Sequence, residues 1–257
     1  MLNVTDVTRE RQQAGSIKAR LTLRGVVGEA LTLYAREPGR IALTALVTFL
    51  PIDVLTVQLH GWSRHFLEIG HTGLSGGTEF IIFLLVTGGQ VFLAGVLDHL
   101  EGARLGNESA DGLFHVYRHL PLVRLFAADL VVSALASIAS LAFVLPGVIA
   151  FALFGIVGPV INIEDRGVVG ALRRSASLTY PHLGLSILLI VLPLTVEVAV
   201  EDWYVAFAHA NDVALDLAVS VFLSVTVRAF VALLEVVLGH RLIHADRSAQ
   251  SLQPSGA

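Results

Sequence analysis

Five stretches of the chain are apolar enough and long enough to cross a lipid bilayer. A hydrocarbon core about 30 Å thick takes roughly 20 helical residues, and none of these stretches carries more than three charged side chains. They occupy residues 41–59, 80–97, 125–163, 183–200 and 213–237. The pattern predicts an all-α integral membrane protein.

The third stretch is too long for one span. Leu145-Pro146-Gly147 interrupts it near its middle, and this pair of residue types breaks helices and makes turns. We interpret the stretch as two helices joined by a tight hairpin, which gives six spans. One long, kinked helix, which gives five, is the alternative.

The positions of arginine and lysine distinguish the two topologies, because these residues concentrate in cytoplasmic connections. With six spans, every arginine-rich segment falls on one side of the membrane, and both termini are cytoplasmic. With five spans, the segment after residue 163 and the C-terminal segment move outside. The residues concerned are Arg9, Arg11, Lys18, Arg20, Arg24, Arg36, Arg40, Arg104, Arg118, Arg124, Arg166, Arg173, Arg174, Arg241 and Arg247.

Composition agrees with a membrane location. Hydrophobic residues form 54% of the 257-residue chain and charged residues 15%, against about 25% charged in soluble domains, and the mean hydropathy is +0.74. The net charge of −4 offers no basic surface for nucleic acid. Cysteine is absent, which excludes disulfides and thiolate metal sites. We therefore expect no cofactor, no metal site and no nucleic-acid partner.

The pentapeptide RGVVG occurs at residues 24–28 and again at 166–170. Each copy opens a segment whose apolar residues recur at three- and four-residue steps, as in an amphipathic helix at a membrane surface. The first apolar face is Ile17, Leu21, Val27, Leu31 and Tyr34, and the second is Val168, Leu172, Ala176 and Tyr180.

A third such segment occupies the remaining cytoplasmic connection, with Ser109 as its cap and Leu113, Val116, Tyr117 and Leu120 on one face. Three tyrosines precede prolines at matching places, as Tyr34 and Pro38, Tyr117 and Pro121, and Tyr180 and Pro181. The repetition predicts three parallel units, each a surface helix followed by a transmembrane hairpin. Chance recurrence of RGVVG in a chain rich in Val and Gly is the alternative.

These patterns give three regions. Residues 1–16 form a polar N-terminal tail, residues 17–247 form the six-helix membrane domain, and residues 248–257 form a disordered C-terminal tail. The repeat units within the domain are about 17–107, 108–163 and 164–247. The expected architecture is six transmembrane helices with three cytoplasmic interfacial amphipathic helices.

Charged residues within spans are candidates for function, because hydrocarbon makes them costly. The candidate intramembrane polar group is Asp129, Glu197, Arg228 and Glu235. A proton or ion path would use such a set, whereas a structural ion pair would explain it without transport. Asp53 and Asp216 are interpreted as lying near the outer interface, beside Trp62 and Trp203.

Arginines next to the spans are candidates for contact with lipid headgroups. The set is Arg24, Arg118, Arg173 and Arg174. The same residues would serve equally to enforce the topology.

The segment VLPGVIAFALFGIVGPVINIEDRGVVGALRRSASLTYPHLGLSILLIVL resembles the glycerophosphodiester phosphodiesterase membrane-domain family and related six-span bacterial proteins. The resemblance rests on Pro146-Gly147, Glu164-Asp165 and the helix Ala171-Leu172-Arg173-Arg174-Ser175. It is clearest over about residues 120–195. Some family members fuse this membrane domain to a soluble hydrolase, and this chain has no room for one. The resemblance therefore implies residence in the bacterial cytoplasmic membrane and no hydrolytic reaction.

The sequence favours a non-enzymatic membrane anchor, scaffold or lipid-associated factor, with membrane lipids and another membrane or peripheral protein as partners. The alternative is a small transporter or permease that uses the intramembrane acids.

Overall fold

The computed structural model describes residues 22–68, 77–78, 80–82, 84–85, 89–105, 120–142, 144–208 and 213–251. Every regular element within these ranges is helical, as the apolar runs predict. The third predicted amphipathic segment lies outside the described residues, at 109–119, and it includes Arg118. The N-terminal residues 1–21 also lie outside them.

The helices of the first half follow in simple order, and we number them along the chain. They are α1 (Leu23–Arg36), α2 (Pro38–Glu68), α3 (Gln90–Leu105), α4 (Leu122–Ala142), α5 (Val144–Phe154) and α6 (Val157–Glu164). Thr22 caps α1 by accepting a hydrogen bond from the Gly25 amide at 3.2 Å. Pro38 begins α2, so the first of the predicted prolines lies at the start of a long apolar helix.

The second half contains two π-helical turns inside long helical runs. Helix α7 (Val168–Thr179) continues through a 3-10 turn (Tyr180–His182), α8 (Leu183–Ser186) and a π turn (Ile187–Val191) into α9 (Leu192–Ala208). Helix α10 (Val213–Leu223) continues through a π turn (Ser224–Arg228) into α11 (Ala229–Ser251). Pro181 therefore lies inside a continuous helical run, where the turn tightens but the chain does not leave the helix.

Five helical segments of the described chain are long and apolar enough to cross a membrane. They are Pro38–Leu59, Leu122–Ser140, Leu145–Glu164, Val168–Glu201 and Ala214–Ser251. The sixth predicted span, at residues 80–97, is only partly described. Within it α3 begins directly after Gly89, which has φ +83°, so this part of the chain does not form one uninterrupted helix. A side chain at Gly89 would be strained, because L-residues rarely adopt that conformation.

The interruption of the 125–163 run lies close to its predicted place, but Pro146 and Gly147 do not form the turn. Helix α4 ends at Ala142 and α5 begins at Val144, so the connection precedes the proline. Pro146 and Gly147 fall in the first turn of α5, where proline costs no hydrogen bond. A side chain at Gly147 would collide with Ser140 on α4. Gly147 thus serves the close approach of the two hairpin helices.

Glycine also brings α3 and α6 into backbone contact. A Cβ atom at Gly158 would lie 2.6 Å from the carbonyl oxygen of Val91 and 2.7 Å from the amide nitrogen of Gly95. Asn162, one turn further along α6, donates a hydrogen bond to the Gly95 carbonyl at 2.6 Å. Small residues and interhelical hydrogen bonds are the usual means of packing helices where lipid removes the hydrophobic driving force.

The most buried residues of α1 and α7 lie beside the predicted apolar stripes. Helix α1 buries Val26, Ala30 and Leu33, and α7 buries Ala171, Ser175 and Leu178. The stripe residues Val27, Tyr34, Val168 and Leu172 are half-buried and pack against the core, whereas Leu31 is exposed, as is Tyr180 after the end of α7. The predicted stripes therefore take part in the packing at the edge of the most buried faces.

The two copies of RGVVG take different local structures. Residues 24–28 lie wholly within α1, whereas Arg166 and Gly167 precede α7 and only residues 168–170 are helical. Gly25 is packed against the Arg241 guanidinium, and Gly167 is the N-cap of α7 with open space around it. The identical letters therefore do not mark equivalent positions in the two helices. The three-unit repeat stays a prediction.

The last helix is longer than the sequence predicts. Helix α11 ends at Ser251, so residues 248–251 of the predicted disordered tail are helical. Ser248 and Ser251 each donate a hydrogen bond to a backbone carbonyl of the preceding turn. Residues 252–257 lie outside the described residues.

Candidate functional site

Charged side chains from three helices meet inside the bundle, and we call Asp53, Glu197, Ser224 and Arg228 the central polar cluster. The π turn carries Ser224 and Arg228 at its two ends, and both are buried. The Arg228 Nε donates a hydrogen bond to Glu197 Oε1 at 2.7 Å, with side chains 4% and 1% exposed. Glu197, on α9, is thus the member of the candidate intramembrane polar group that pairs with Arg228.

An aromatic ring completes the surroundings of Arg228. Its guanidinium carbon lies 4.9 Å from the centroid of the Phe49 ring on α2. A cation over an aromatic face gains about 2 kcal/mol or more when desolvated. The charge of Arg228 is therefore held from two sides, by a carboxylate and by a ring.

Asp53 belongs to this cluster, which corrects the interpretation of Asp53 as an outer-interface residue. It is 2% exposed and accepts a hydrogen bond from Ser224 Oγ at 3.3 Å. It also interacts electrostatically with Arg228. Helix α2 packs on the Ser224–Arg228 turn, and this contact carries Asp53 to the arginine. Asp216 is half-buried on α10.

Asp129 is separated from the arginine and holds the start of α3. Its carboxylate accepts hydrogen bonds from the backbone N–H groups of Gly89 at 2.6 Å, Val91 at 3.0 Å and Phe92 at 3.3 Å. The first N–H groups of a helix have no partner within the helix, and an anion is favoured at that end by the helix dipole. Asp129 thus caps α3 from a neighbouring helix, where the sequence suggests a member of an ion path.

Glu235, the fourth predicted member, lies near Asp129 and Gln90 but not in the central polar cluster. It is 0% exposed, and both carboxyl oxygens lack a hydrogen-bond partner among the described residues. Its charged neighbour is Asp129, through electrostatic interaction. The predicted set therefore divides into one ion pair, one helix cap and one isolated acid.

A second polar arrangement lies at one end of the bundle, which we call the arginine-rich end. Arg174 donates hydrogen bonds to Glu164 at 3.1 Å and to Asp246 at 2.7 Å. Arg124 pairs with Asp165 at 2.6 Å, and Arg241 donates two hydrogen bonds to one oxygen of Glu29, at 2.9 and 2.7 Å. These pairs join α1, α4, α6, α7 and α11 at this end.

The four predicted headgroup contacts have different environments. Arg174 is 17% exposed and engaged by two acids of the chain, Glu164 and Asp246. Arg24 and Arg173 are exposed on α1 and α7. Beside Arg173, Val169 is 65% exposed and Tyr180 73%. Arg118 lies outside the described residues.

Further buried polar pairs escaped the sequence-based predictions. Asp98 on α3 lies 2.7 Å from His240 Nε2 on α11, and Gln90 donates a hydrogen bond to the carbonyl of Arg228 at 3.3 Å. Gln90 and His240 have no distinctive spacing in the sequence. Asp98 directly follows the apolar run 80–97, and this position is the sequence feature that could have identified it. Its histidine partner lies on α11 and is seen only in the structure.

Chemically, the central polar cluster combines two acids with one base in a nearly water-free setting. It fits a structural ion pair, and it also has the groups that a proton path uses. Within the part of the chain that the structure describes, no group of three His, Cys, Asp or Glu side chains is arranged to hold a metal ion.

Comparison of the chain with protein-family models, curated proteins and solved structures finds no match in any of the three.

Proposed function

We propose that the chain is a six-span membrane anchor or scaffold of the bacterial cytoplasmic membrane that associates with lipid and catalyses no reaction. The resemblance to the membrane-domain family stays part of this proposal, as a likeness to an anchoring domain. Its partners are membrane lipids and a membrane or peripheral protein at the arginine-rich end.

The ion pairs of the arginine-rich end support six spans. Arg241 meets Glu29, Arg124 meets Asp165, and Arg174 meets Asp246, so residues from well-separated parts of the chain share one end of the bundle. The chain must cross the bundle an even number of times between partners at the same end. Two crossings in each of the three intervals 37–123, 125–163 and 175–240 give six. The positive-inside rule then puts this end in the cytoplasm.

The Arg228–Glu197 pair is the observation that carries the scaffold function. An arginine left in hydrocarbon costs several kcal/mol, and here it is paired and stacked inside the bundle. Its charge stabilises the packing of α2, α9 and the Ser224–Arg228 turn. A group used in this way needs no transported ligand.

The test is a mutant cycle on this pair. Arg228→Ala leaves Glu197 buried without its partner, which costs about 3–5 kcal/mol. Replacing both residues, as Arg228→Met with Glu197→Leu, removes both charges of the pair, and we expect the thermal unfolding temperature in detergent to recover part of the loss, because Asp53 still lacks the arginine. Arg173→Ala, on an exposed arginine, is the matched control and should change the unfolding temperature little.

A transporter is the second candidate, favoured by one observation. Asp53 keeps one oxygen, Oδ2, without a hydrogen-bond partner among the described residues, and the adjoining turn is π-helical, a feature frequent at functional sites. If this cluster moves protons, wild-type protein in vesicles should carry a proton flux, measured with a trapped pH-sensitive dye. Flux that is lost in a stable Arg228→Met, Glu197→Leu variant would contradict the scaffold and establish the transporter. Equal flux in wild-type and protein-free vesicles would leave the scaffold in place.

A further inference from the structure

Glu235 lies in the helix α11 with none of the usual supports of a charged carboxylate. It is 0% exposed, and neither oxygen has a hydrogen-bond partner among the described residues. Gly155, directly after α5, approaches this side chain, and a Cβ added there would lie 3.5 Å from Oε1. An isolated ion in such surroundings is so costly that the group neutralises instead.

The side chain of Gln90 indicates where the proton that neutralises Glu235 would lie. Gln90 lies within reach of the Glu235 carboxyl, and its Nε2 donates a hydrogen bond to the Arg228 carbonyl at 3.3 Å. The other amide atom, Oε1, has no partner. Because the opposite orientation would place Oε1 against the Arg228 carbonyl, which is another acceptor, Oε1 is the amide atom left to accept.

An ionised carboxylate and an amide oxygen are both acceptors only. Two such groups side by side leave three oxygens unsatisfied, which is the pattern found at Glu235 and Gln90. One proton on Glu235 resolves it, since the carboxyl O–H then donates to Gln90 Oε1.

We propose that Glu235 is a proton-binding site of the membrane bundle, occupied at rest by a proton that is shared with Gln90 Oε1. The site is independent of the scaffold function and is not part of the central polar cluster.

The neighbouring charges fit this assignment. Asp129, on α4, is the acid that acts on Glu235, and its carboxylate accepts hydrogen bonds from three backbone N–H groups. Arg228, which precedes α11 on the same helical run, is turned to Glu197. Asp98 of α3 is paired with His240. Among the described residues, Glu235 is thus the acid of this region with no hydrogen bond and no cation beside it, and it is the one expected to hold a proton.

The first measurement is infrared spectroscopy of the purified protein in detergent at neutral pH. A protonated carboxyl has a C=O stretching band distinct from that of a carboxylate. We expect such a band in the wild type, its loss in Glu235→Gln, and its retention in Asp165→Asn, which alters an exposed acid. Glu235→Gln should also melt close to the wild type, because the glutamine N–H donates to Gln90 in place of the acid. A wild-type spectrum with no band that depends on Glu235 would overturn the proposal.

A second measurement uses only the wild-type protein, so its outcome does not depend on the folding of a variant. Dicyclohexylcarbodiimide enters hydrocarbon and reacts with protonated carboxyls. The carboxyl oxygen bonds to the central carbon, the acid proton moves to one nitrogen, and rearrangement gives a stable N-acylurea with nothing released. Peptide mass spectrometry of treated wild-type protein should find the adduct on Glu235 and none on Glu197, whose carboxylate is paired. An unmodified Glu235 after full exposure to the reagent would contradict the proposal.

Discussion

Replacing Asp129 by alanine removes the carboxylate that accepts hydrogen bonds from the backbone N–H groups of Gly89, Val91 and Phe92. Asp129 is 6% exposed, so water does not replace these bonds. An interhelical hydrogen bond inside a membrane is worth about 0.6 kcal/mol on average, and one to a charged group about 1.5–3 kcal/mol in soluble proteins. Three bonds to one buried carboxylate give an expected loss of roughly 2–5 kcal/mol.

The assay is thermal unfolding of purified variants in detergent. A loss of this size lowers the unfolding temperature by roughly 4–20 °C, at about 2–4 °C per kcal/mol for a chain of this length. Asp129→Asn keeps one acceptor oxygen and should lose about half as much. Asp165→Asn is the control, because the Asp165 side chain is 88% exposed and surface pairs contribute at most about 1 kcal/mol.

Hydrogen exchange locates the effect. In Asp129→Ala the amides of Val91 and Phe92 should exchange faster than in the wild type, while those in the middle of α11 keep their protection. If Asp129→Ala unfolds at the same temperature as Asp165→Asn, and the amides of Val91 and Phe92 keep their protection, then Asp129 does not hold the start of α3 and the reasoning fails.

Three further predictions concern packing and the arginine-rich end. Gly158→Ala should destabilise by about 1–3 kcal/mol, because the new Cβ meets the backbone of Val91 and Gly95, whereas Gly184→Ala, which meets open space, should not lower the unfolding temperature. Arg241→Gln should increase hydrogen exchange in α1, since it breaks the bonds to Glu29 and to the Gly25 carbonyl, and Arg247→Gln should leave that exchange unchanged. The double variant Arg24→Gln, Arg173→Gln should reduce the amount of phosphatidylglycerol that copurifies with the protein. Arg174→Gln should lower the unfolding temperature without changing the amount of lipid. Equal lipid retention in all variants would contradict the headgroup role of Arg24 and Arg173.

Sequence patterns predict the helical class and single out Arg228 and Glu197 as members of an intramembrane polar group, because both inferences follow from the cost of polar groups in hydrocarbon. A long apolar run has to be helical, and a buried arginine has to find an acid. The same reasoning names Asp129 and Glu235 as special positions. It does not say what each does, because a helix cap and an ion path both require a buried acid.

Packing decides which residues of an amphipathic stripe are buried, and the sequence does not show it. In α1, Tyr34 packs against the core and Leu31 is exposed, while the most buried residues are Val26, Ala30 and Leu33. In a membrane protein lipid competes for large apolar side chains, so periodicity does not distinguish the protein-facing face from the lipid-facing one. Asp53 was misplaced for a related reason, since its neighbour Ser224 is distant in sequence and joins it only through the fold.

The direct test of the account is labelling of single cysteines in this chain, which has none of its own. Ser177 and Ser248 are exposed near the arginine-rich end, and Asn211 belongs to a connection that the sequence predicts to be external. In intact cells, an impermeant maleimide should label a cysteine at Asn211 and leave cysteines at Ser177 and Ser248 unmodified until the membrane is opened. Labelling of Ser177 from outside, with Ser248 protected, would contradict six spans and the gathering of the arginine-rich end in the cytoplasm.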